Sequence, residues 1–181
     1  MIGRNLPALA LSFTLFASCA SSPSSRLDTL YKELQNDVAD HPAGSAPDPD
    51  LQQRHSKRAG EVREILRQGD LKSGEENFRA AVLLVETDDP ADLNLAEQLA
   101  RRAALDGVRK GFRVAAEAVD KQLVLRHLPQ RYGTQYEWVP VLREWRLYPL
   151  DSTTTDSDRR AMDVPVLAEL YAGEQRLNAR R

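Results

Sequence analysis

Apolar residues at helical spacing, in segments that end at proline or glycine, constrain the fold of this chain most. An apolar residue recurs every three or four positions between residues 26 and 40, and in four further segments before residue 128. This spacing is typical of amphipathic helices. The stretch 41–49, His-Pro-Ala-Gly-Ser-Ala-Pro-Asp-Pro, cannot continue a helix. We therefore predict an amphipathic helix over 26–40, a linker over 41–49 and a main helical domain over 50–175.

Capping residues indicate where the helices of the main domain begin and end. Ser73 is followed three residues later by a glutamate, which matches the capping-box pattern. Asp89 precedes a proline at the first helical position, and Gly69, Gly107 and Pro129 are expected stops. These signals predict helices over about 51–68, 74–85, 90–106 and 110–127.

The alanine content of these helices bears on the fold class. The register from Phe78 to Ala118 is rich in alanine and resembles tetratricopeptide-type helical hairpins. No second copy recurs at a fixed period, which a repeat array would require. We therefore predict a mainly α protein, a helical bundle of antiparallel helical hairpins that is only weakly tetratricopeptide-like.

The chain after residue 131 has a different pattern. Residues 136–139 and 144–148 alternate polar with large apolar side chains, which predicts a small C-terminal β-hairpin. Further along, Thr155 is expected to cap a short helix and Pro165 to begin a final one. The polar tail 176–181 is expected to fray.

The N-terminus has the layout of an export signal. Residues 1–18 carry one basic residue, no acidic residue and an apolar stretch, Leu6–Phe16, that is shorter than the roughly 20 residues of a membrane-spanning helix. The sequence Phe-Ala-Ser before Cys19 resembles the lipobox of bacterial lipoproteins, in which Leu, Val or Ile is usual where this chain has Phe16. The resemblance implies that Cys19 becomes an acylated (palmitate-bearing) N-terminus, followed by a tether over 19–25.

Two outcomes of processing stay open at this point. Acylation at Cys19 would hold the protein on a bacterial envelope membrane, and the absence of Asp after the cysteine implies the outer membrane, facing the periplasm, in a Gram-negative host. Anchoring would depend on the acyl chains, because no basic cluster follows the signal. Ordinary cleavage after Ala20 would instead release a soluble protein.

The charge balance and the residue types exclude several classes of function. The 25 Lys+Arg against 27 Asp+Glu give a formal net charge of -2, so we expect no nucleic-acid partner. The histidines His41, His55 and His127 lack metal-ligand spacing, and the chain has none of the common hydrolase, P-loop or dinucleotide signatures. We therefore predict no metal, no cofactor and no assigned catalytic residue.

One block of polar residues is the best candidate for a site. Asp120-Lys121 is followed by Gln130, an arginine and the run Tyr132-Gly133-Thr134-Gln135. This pattern resembles the D-[RK]…Q-x-Y-G-T-Q core of an uncharacterised bacterial helical-domain family, in which Arg stands where this chain has Lys121. The similarity covers roughly residues 50–170 and includes Thr154-Thr155-Asp156 and Arg159. The family implies a fold relative and no known activity.

Three interpretations of this block remain open. Its side chains can form a buried polar network that fixes the turn between helix and hairpin, or line a pocket for a small polar or sugar-like ligand, or act in catalysis. The candidate ligand-binding residues are Asp120, Gln130, Tyr132, Gly133, Thr134 and Gln135.

These observations lead to a prediction about function. We predict a membrane-anchored envelope lipoprotein that acts as a binding or protein-interaction module. One alternative is an envelope hydrolase or other enzyme with a polar cleft around Asp120, His127, Thr134 and Gln135. Another is a purely structural lipoprotein.

Overall fold

The computed structural model of the protein describes residues 22–41, 48–69 and 71–179. The predicted signal peptide, Cys19 and nearly all of the predicted linker lie outside these residues. The elements, in chain order, are α1 (Pro23–Asp40), α2 (Pro49–Gln68), α3 (Gly74–Val85), α4 (Pro90–Leu105), α5 (Gly111–Leu125), β1 (Tyr136–Val139), β2 (Glu144–Leu147), α6 (Asp156–Ala161) and α7 (Leu167–Ala179). The predicted fold class, a mainly α bundle with a small C-terminal antiparallel hairpin, is confirmed.

The helix starts follow from side chains that satisfy free backbone N–H groups. Ser73 and Glu76 form the predicted capping box at α3, and the Asp89 side chain accepts hydrogen bonds from two N–H groups at the start of α4. Ser22 caps α1 in the same way, with Pro23 in the first turn. Helix α1 therefore begins inside the segment 19–25 that the sequence predicted to be a tether, and that prediction is wrong for residues 23–25.

The core is built around α3, which packs against α1, α2, α4 and α5. Short connections join α3 to α4 and α4 to α5, so neighbouring helices run antiparallel. Gly111 allows the α4–α5 pair to approach closely, because a Cβ atom there would lie 2.3 Å from the carbonyl oxygen of Ala100. The largest buried side chains of the core include Leu27, Ile65, Leu83, Leu84 and Leu93, and burying each leucine contributes about 1.5–3 kcal/mol.

The hairpin pairs Tyr136 with Leu147 and Trp138 with Trp145, whose rings lie 5.7 Å apart. The outer edge of β2 is covered by α7. Asn178 accepts a hydrogen bond from Trp145 N and donates one to Trp145 O, at 2.8 and 2.9 Å, and Glu174 accepts one from Leu147 N at 2.6 Å. These side chains satisfy edge groups that would otherwise be open to pairing with another chain.

Two further features differ from what the sequence pattern led us to expect. The tail predicted to fray from residue 176 is helical through Ala179, because Asn178 is held by the edge of β2. Val38 follows the helical spacing of α1 but is 58% exposed. It lies near the C-terminal end of α1, beyond the last residue of that helix that is buried in the core, Leu34. Among the described residues, no helix combines the length and hydropathy needed to cross a bilayer.

Candidate functional site

Asp120, in the last part of α5, is completely buried and organises the turn that follows the helix. Its Oδ1 accepts hydrogen bonds from the backbone N–H groups of Arg131 and Tyr132, at 2.7 and 2.9 Å. Its Oδ2 accepts from the N–H groups of Gly133 and Thr134 and from the Thr134 hydroxyl, each at 2.9 Å. Five donors on one carboxylate fix four consecutive residues against the helix.

Gln130 is also completely buried and connects the same turn to the hairpin. Its side-chain amide donates to the carbonyl oxygens of Gln135 and Tyr148, both at 2.9 Å, and its Oε1 accepts from Gln135 N at 2.8 Å. Its backbone N–H donates to Pro149 O, and its carbonyl accepts from Asp151 N, both at 2.8 Å. Gln130 therefore forms hydrogen bonds with backbone groups of two separate segments, residue 135 and residues 148–151.

Gly133 and Tyr132 complete the turn. Gly133 has φ +97°, and a Cβ atom there would lie 2.3 Å from Leu170 Cδ1, so a side chain is excluded by both conformation and space. The Tyr132 carbonyl accepts a hydrogen bond from Arg159 Nε at 3.2 Å. Arg159 is buried and also donates to Thr154 O at 3.1 Å. The 154–159 segment is therefore tied to the turn through Arg159.

All six candidate ligand-binding residues lie in this one cluster. The last of them, Gln135, is half-buried, and its side-chain amide donates to Thr134 Oγ1 at 3.0 Å. The side-chain polar groups of Asp120, Gln130 and Thr134 are thus bonded to one another and to the backbone, as the network interpretation requires.

Two residues near the motif serve elsewhere. Lys121 donates to Val85 O at 3.2 Å and lies 3.0 Å from a carboxylate oxygen of Asp88, so it stabilises the α3–α4 connection. His127 is exposed, with φ +56°, just beyond the end of α5. In the part of the chain that the structure describes, no hydrogen bond or ion pair joins His127 to Asp120, Thr134 or Gln135.

A small pocket of about 150 Å³ opens beside the turn. Its lining includes Gly133 and Thr134 of the turn, Arg113 of α5, and Glu169 and Arg176 of α7. The Nε of Arg113 donates a hydrogen bond to Glu117 Oε1, on the same helix, at 3.2 Å. Arg176 makes no hydrogen bond or ion pair with any residue that the structure describes. The pocket thus carries two guanidinium groups and one carboxylate.

The wall between the turn and α7 is stiffened by Tyr136, whose hydroxyl donates to Leu170 O at 3.0 Å. Burial raises the pKa of the Tyr136 hydroxyl, and the charge of Glu174 adds to this effect against the opposing charges of Arg176 and Arg113. The phenol therefore stays neutral and keeps its hydrogen bond through the physiological pH range.

The sequence predicted the turn over residues 130–135, called the motif turn below, but it did not predict the charged residues of the pocket. Arg113 and Arg176 are 63 positions apart in the chain, and nothing in their local sequence distinguishes them from the other arginines. Only the packing of α7 against the hairpin places Arg176 beside residues 133 and 134.

The fold and the site together define a class: a small helical domain whose buried polar turn forms one wall of a charged pocket. In the described ranges, no group of three or more histidine, cysteine or acidic side chains is arranged to hold a metal ion. Comparisons of the chain with protein-family models, with curated proteins and with solved structures found no match.

Proposed function

We propose that this protein is a lipid-anchored bacterial envelope protein that binds a small polar ligand bearing a carboxylate. The observation that carries the ligand class is Arg176, whose guanidinium makes no hydrogen bond or ion pair with the described residues and lines a small pocket together with Arg113. Guanidinium groups bind carboxylates through paired hydrogen bonds. The carboxylate of Glu169 on the same pocket favours a ligand with an ammonium or hydroxyl group near its own carboxylate.

The volume of the pocket favours a small ligand or one end of a larger one. It is about 150 Å³, below the roughly 300–1,000 Å³ of pockets that enclose a drug-sized molecule. This suits a small carboxylate, or the carboxylate end of a larger molecule, and it agrees with the small polar ligand that was one of the open interpretations of the sequence.

Binding is favoured over catalysis by the state of the polar groups. Asp120 accepts five hydrogen bonds, so its oxygens are not available to take a proton from a substrate. The Thr134 hydroxyl donates a hydrogen bond to that same carboxylate, which is already engaged by four backbone N–H groups. His127 is exposed and separate from both. The motif turn therefore supports the pocket as a rigid wall.

The binding proposal is tested by NMR titration of the protein, expressed from the full chain, with glycine, D-alanine and lactate. We expect saturable shifts in the amides of residues 133–136 and 169–176, which Arg176→Gln abolishes. Arg160→Gln is the matched control, since Arg160 is exposed and does not line the pocket. If none of the three carboxylates gives saturable shifts, or if both variants lose them equally, the proposal is wrong.

The anchoring part of the proposal has its own test. The full chain is expressed in a Gram-negative host, and the mature N-terminus is determined by mass spectrometry. Acylation on Cys19, with loss of membrane association in Cys19→Ser, supports a lipoprotein. A mature protein that begins after Ala20 and is released from the membrane contradicts it.

A further inference from the structure

A groove between α1 and α2, far from the motif turn in the sequence, gathers positive charge. It has a volume of about 410 Å³. Four cationic side chains line it, one from α1 and three from α2: Arg26, Arg54, Lys57 and Arg58. In the sequence Arg26 stands alone, 28 residues before the next of them. The fold therefore brings Arg26 to three cations that already lie close together in the sequence, within residues 54–58.

Arg58 is the deepest of these residues, with 5% of its surface exposed. One end of its guanidinium, Nη2, donates to the Asp37 carboxylate, and its Nε lies 3.6 Å from a carboxylate oxygen of Glu33. Its Nη1 is buried and has no hydrogen-bond partner. A buried cationic donor without an acceptor raises the free energy of the folded protein. The described residues supply no acceptor for Nη1, so an anion that accepts its hydrogen bond would lower that free energy.

Of the other three cations, Arg54 is paired, with its Nε 3.2 Å from the Asp37 carboxylate, whereas Arg26 and Lys57 are incompletely paired. Arg26 is 3.8 Å from its nearest carboxylate, that of Glu61, which is beyond hydrogen-bond distance. Lys57 is exposed and makes no ion pair or hydrogen bond with the residues that the structure describes. Glu33 and Glu61 are themselves 54% and 40% exposed. The groove therefore holds loosely paired cations that can exchange these carboxylates for a ligand.

We propose that the α1–α2 groove binds a phosphate group. Phosphate accepts several hydrogen bonds at once, which suits the ammonium of Lys57 and the guanidinium of Arg26 on the groove. The unpaired Nη1 of Arg58 has almost no exposed surface, so it joins them only when the Arg58 side chain turns toward the phosphate. A groove of about 410 Å³ also has room for the groups that a phosphate ester carries, unlike the smaller pocket beside the turn.

Two sources of phosphate share this chemistry, a free phosphate compound and the headgroup of an anionic lipid. The lipid source rests on the proposed anchoring. Residues 20–22, between Cys19 and the start of α1, span at most about 11 Å, so an acylated Cys19 would hold the N-terminal end of α1 close to the bilayer surface. The binding of free phosphate does not depend on the anchor.

Binding is tested by calorimetric titration of the full chain, purified in detergent, with inorganic phosphate. Arg58 also pairs with Asp37 between the two helices, so its replacement risks unfolding. Lys57→Gln is used instead, because that side chain is exposed and unpaired. We expect saturable binding that Lys57→Gln weakens about tenfold, the loss of one charge-assisted hydrogen bond. Lys32→Gln, on α1 and outside the groove, is expected to leave the affinity unchanged.

The source of the phosphate is determined by repeating the titration in bicelles of phosphatidylcholine, with and without phosphatidylglycerol. A weaker apparent affinity for inorganic phosphate in the phosphatidylglycerol bicelles means that the lipid headgroup occupies the groove. An unchanged affinity means that the ligand is a free phosphate compound. No saturable binding in any medium, or an equal loss in Lys57→Gln and Lys32→Gln, would overturn the proposal. Failure of the carboxylate pocket would leave these results unchanged, because Arg176 is not part of the groove.

Discussion

Replacing Asp120 with asparagine tests whether the motif turn is held by this carboxylate. Asparagine keeps the shape of the side chain but turns one acceptor oxygen into an NH2 donor. In the wild type, Oδ1 accepts hydrogen bonds from the N–H groups of Arg131 and Tyr132. If the NH2 group of the asparagine takes the place of Oδ1, these two donors lose their acceptor. If it takes the place of Oδ2, three donors from Gly133 and Thr134 are left without an acceptor.

The expected loss of stability follows from the less damaging orientation. Each buried donor that loses its acceptor costs about 1–3 kcal/mol, and two donors are affected. Since Arg131 is an exposed residue and its hydrogen bond to Asp120 is only partly buried, part of its loss can be recovered by water. We therefore expect Asp120→Asn to lower the free energy of unfolding by about 3 kcal/mol, a large share of the 5–15 kcal/mol typical of a domain.

The assay is urea denaturation of both proteins, followed by circular dichroism and by the fluorescence of the two hairpin tryptophans. Asp28→Asn is the matched control: Asp28 is 55% exposed and pairs with Arg79 on the surface, so its loss should cost less than about 1 kcal/mol. A cost for Asp120→Asn below about 1 kcal/mol, or equal to that of the control, would refute the role of Asp120 as the support of the turn.

Three further predictions concern single positions. Gly133→Ala should lower the free energy of unfolding by about 3 kcal/mol, because it adds a steric clash to an unfavourable φ. Gly107→Ala, with a similar φ of +96° and open space around it, should lower it by about 1 kcal/mol. Equal losses in urea denaturation would contradict this explanation. Asn178→Ala should cost about 1–2 kcal/mol and speed hydrogen exchange at the edge of β2, and protection equal to that of the wild type would contradict the proposed cover. Burial and then the charge of Arg58 lower the pKa of His55 below 6.5, so the unfolded state binds more protons there. Stability should fall as the pH drops from about 6.5 through the folded-state pKa, and His55→Gln should reduce this slope; an unchanged slope would contradict the assignment.

The fold was predictable where local chemistry decides it. The starts of α3 and α4 could be predicted from local sequence alone. Ser73 and Glu76 mark the first of them, and Asp89 before a proline marks the second. The predictions were wrong where a distant partner or a weak cap decides. Residues 176–179 are helical because the β2 edge holds Asn178, and a serine one residue ahead of Pro23 was sufficient to start α1 early.

The candidate site divides in the same way. The motif turn could be found from its sequence, since residues 130–135 are contiguous and Asp120 lies one short connection before them. The roles of its side chains could not be assigned, because an aspartate that binds a ligand and one that binds backbone amides have the same sequence. Arg113 and Arg176 could not be found at all, as only the docking of α7 brings them together.

The structure separates polar residues by whether their hydrogen bonds are complete. Asp120, Gln130 and Arg159 are buried and have acceptors and donors matched within the chain, so they explain why the turn has one conformation. Among the described residues, the buried side-chain atoms without a hydrogen-bond partner are Nη1 of Arg58, between α1 and α2, Nδ1 of His55 and Nε1 of Trp145. Arg176, beside the turn, is exposed and makes no hydrogen bond or ion pair with the residues that the structure describes. A matched network needs no ligand to be stable, whereas an unmatched guanidinium gains free energy when an anion arrives. For this reason we expect the residues that make the motif recognisable to belong to the scaffold, and the residues that bind to be among the arginines and the lysine that no motif contains.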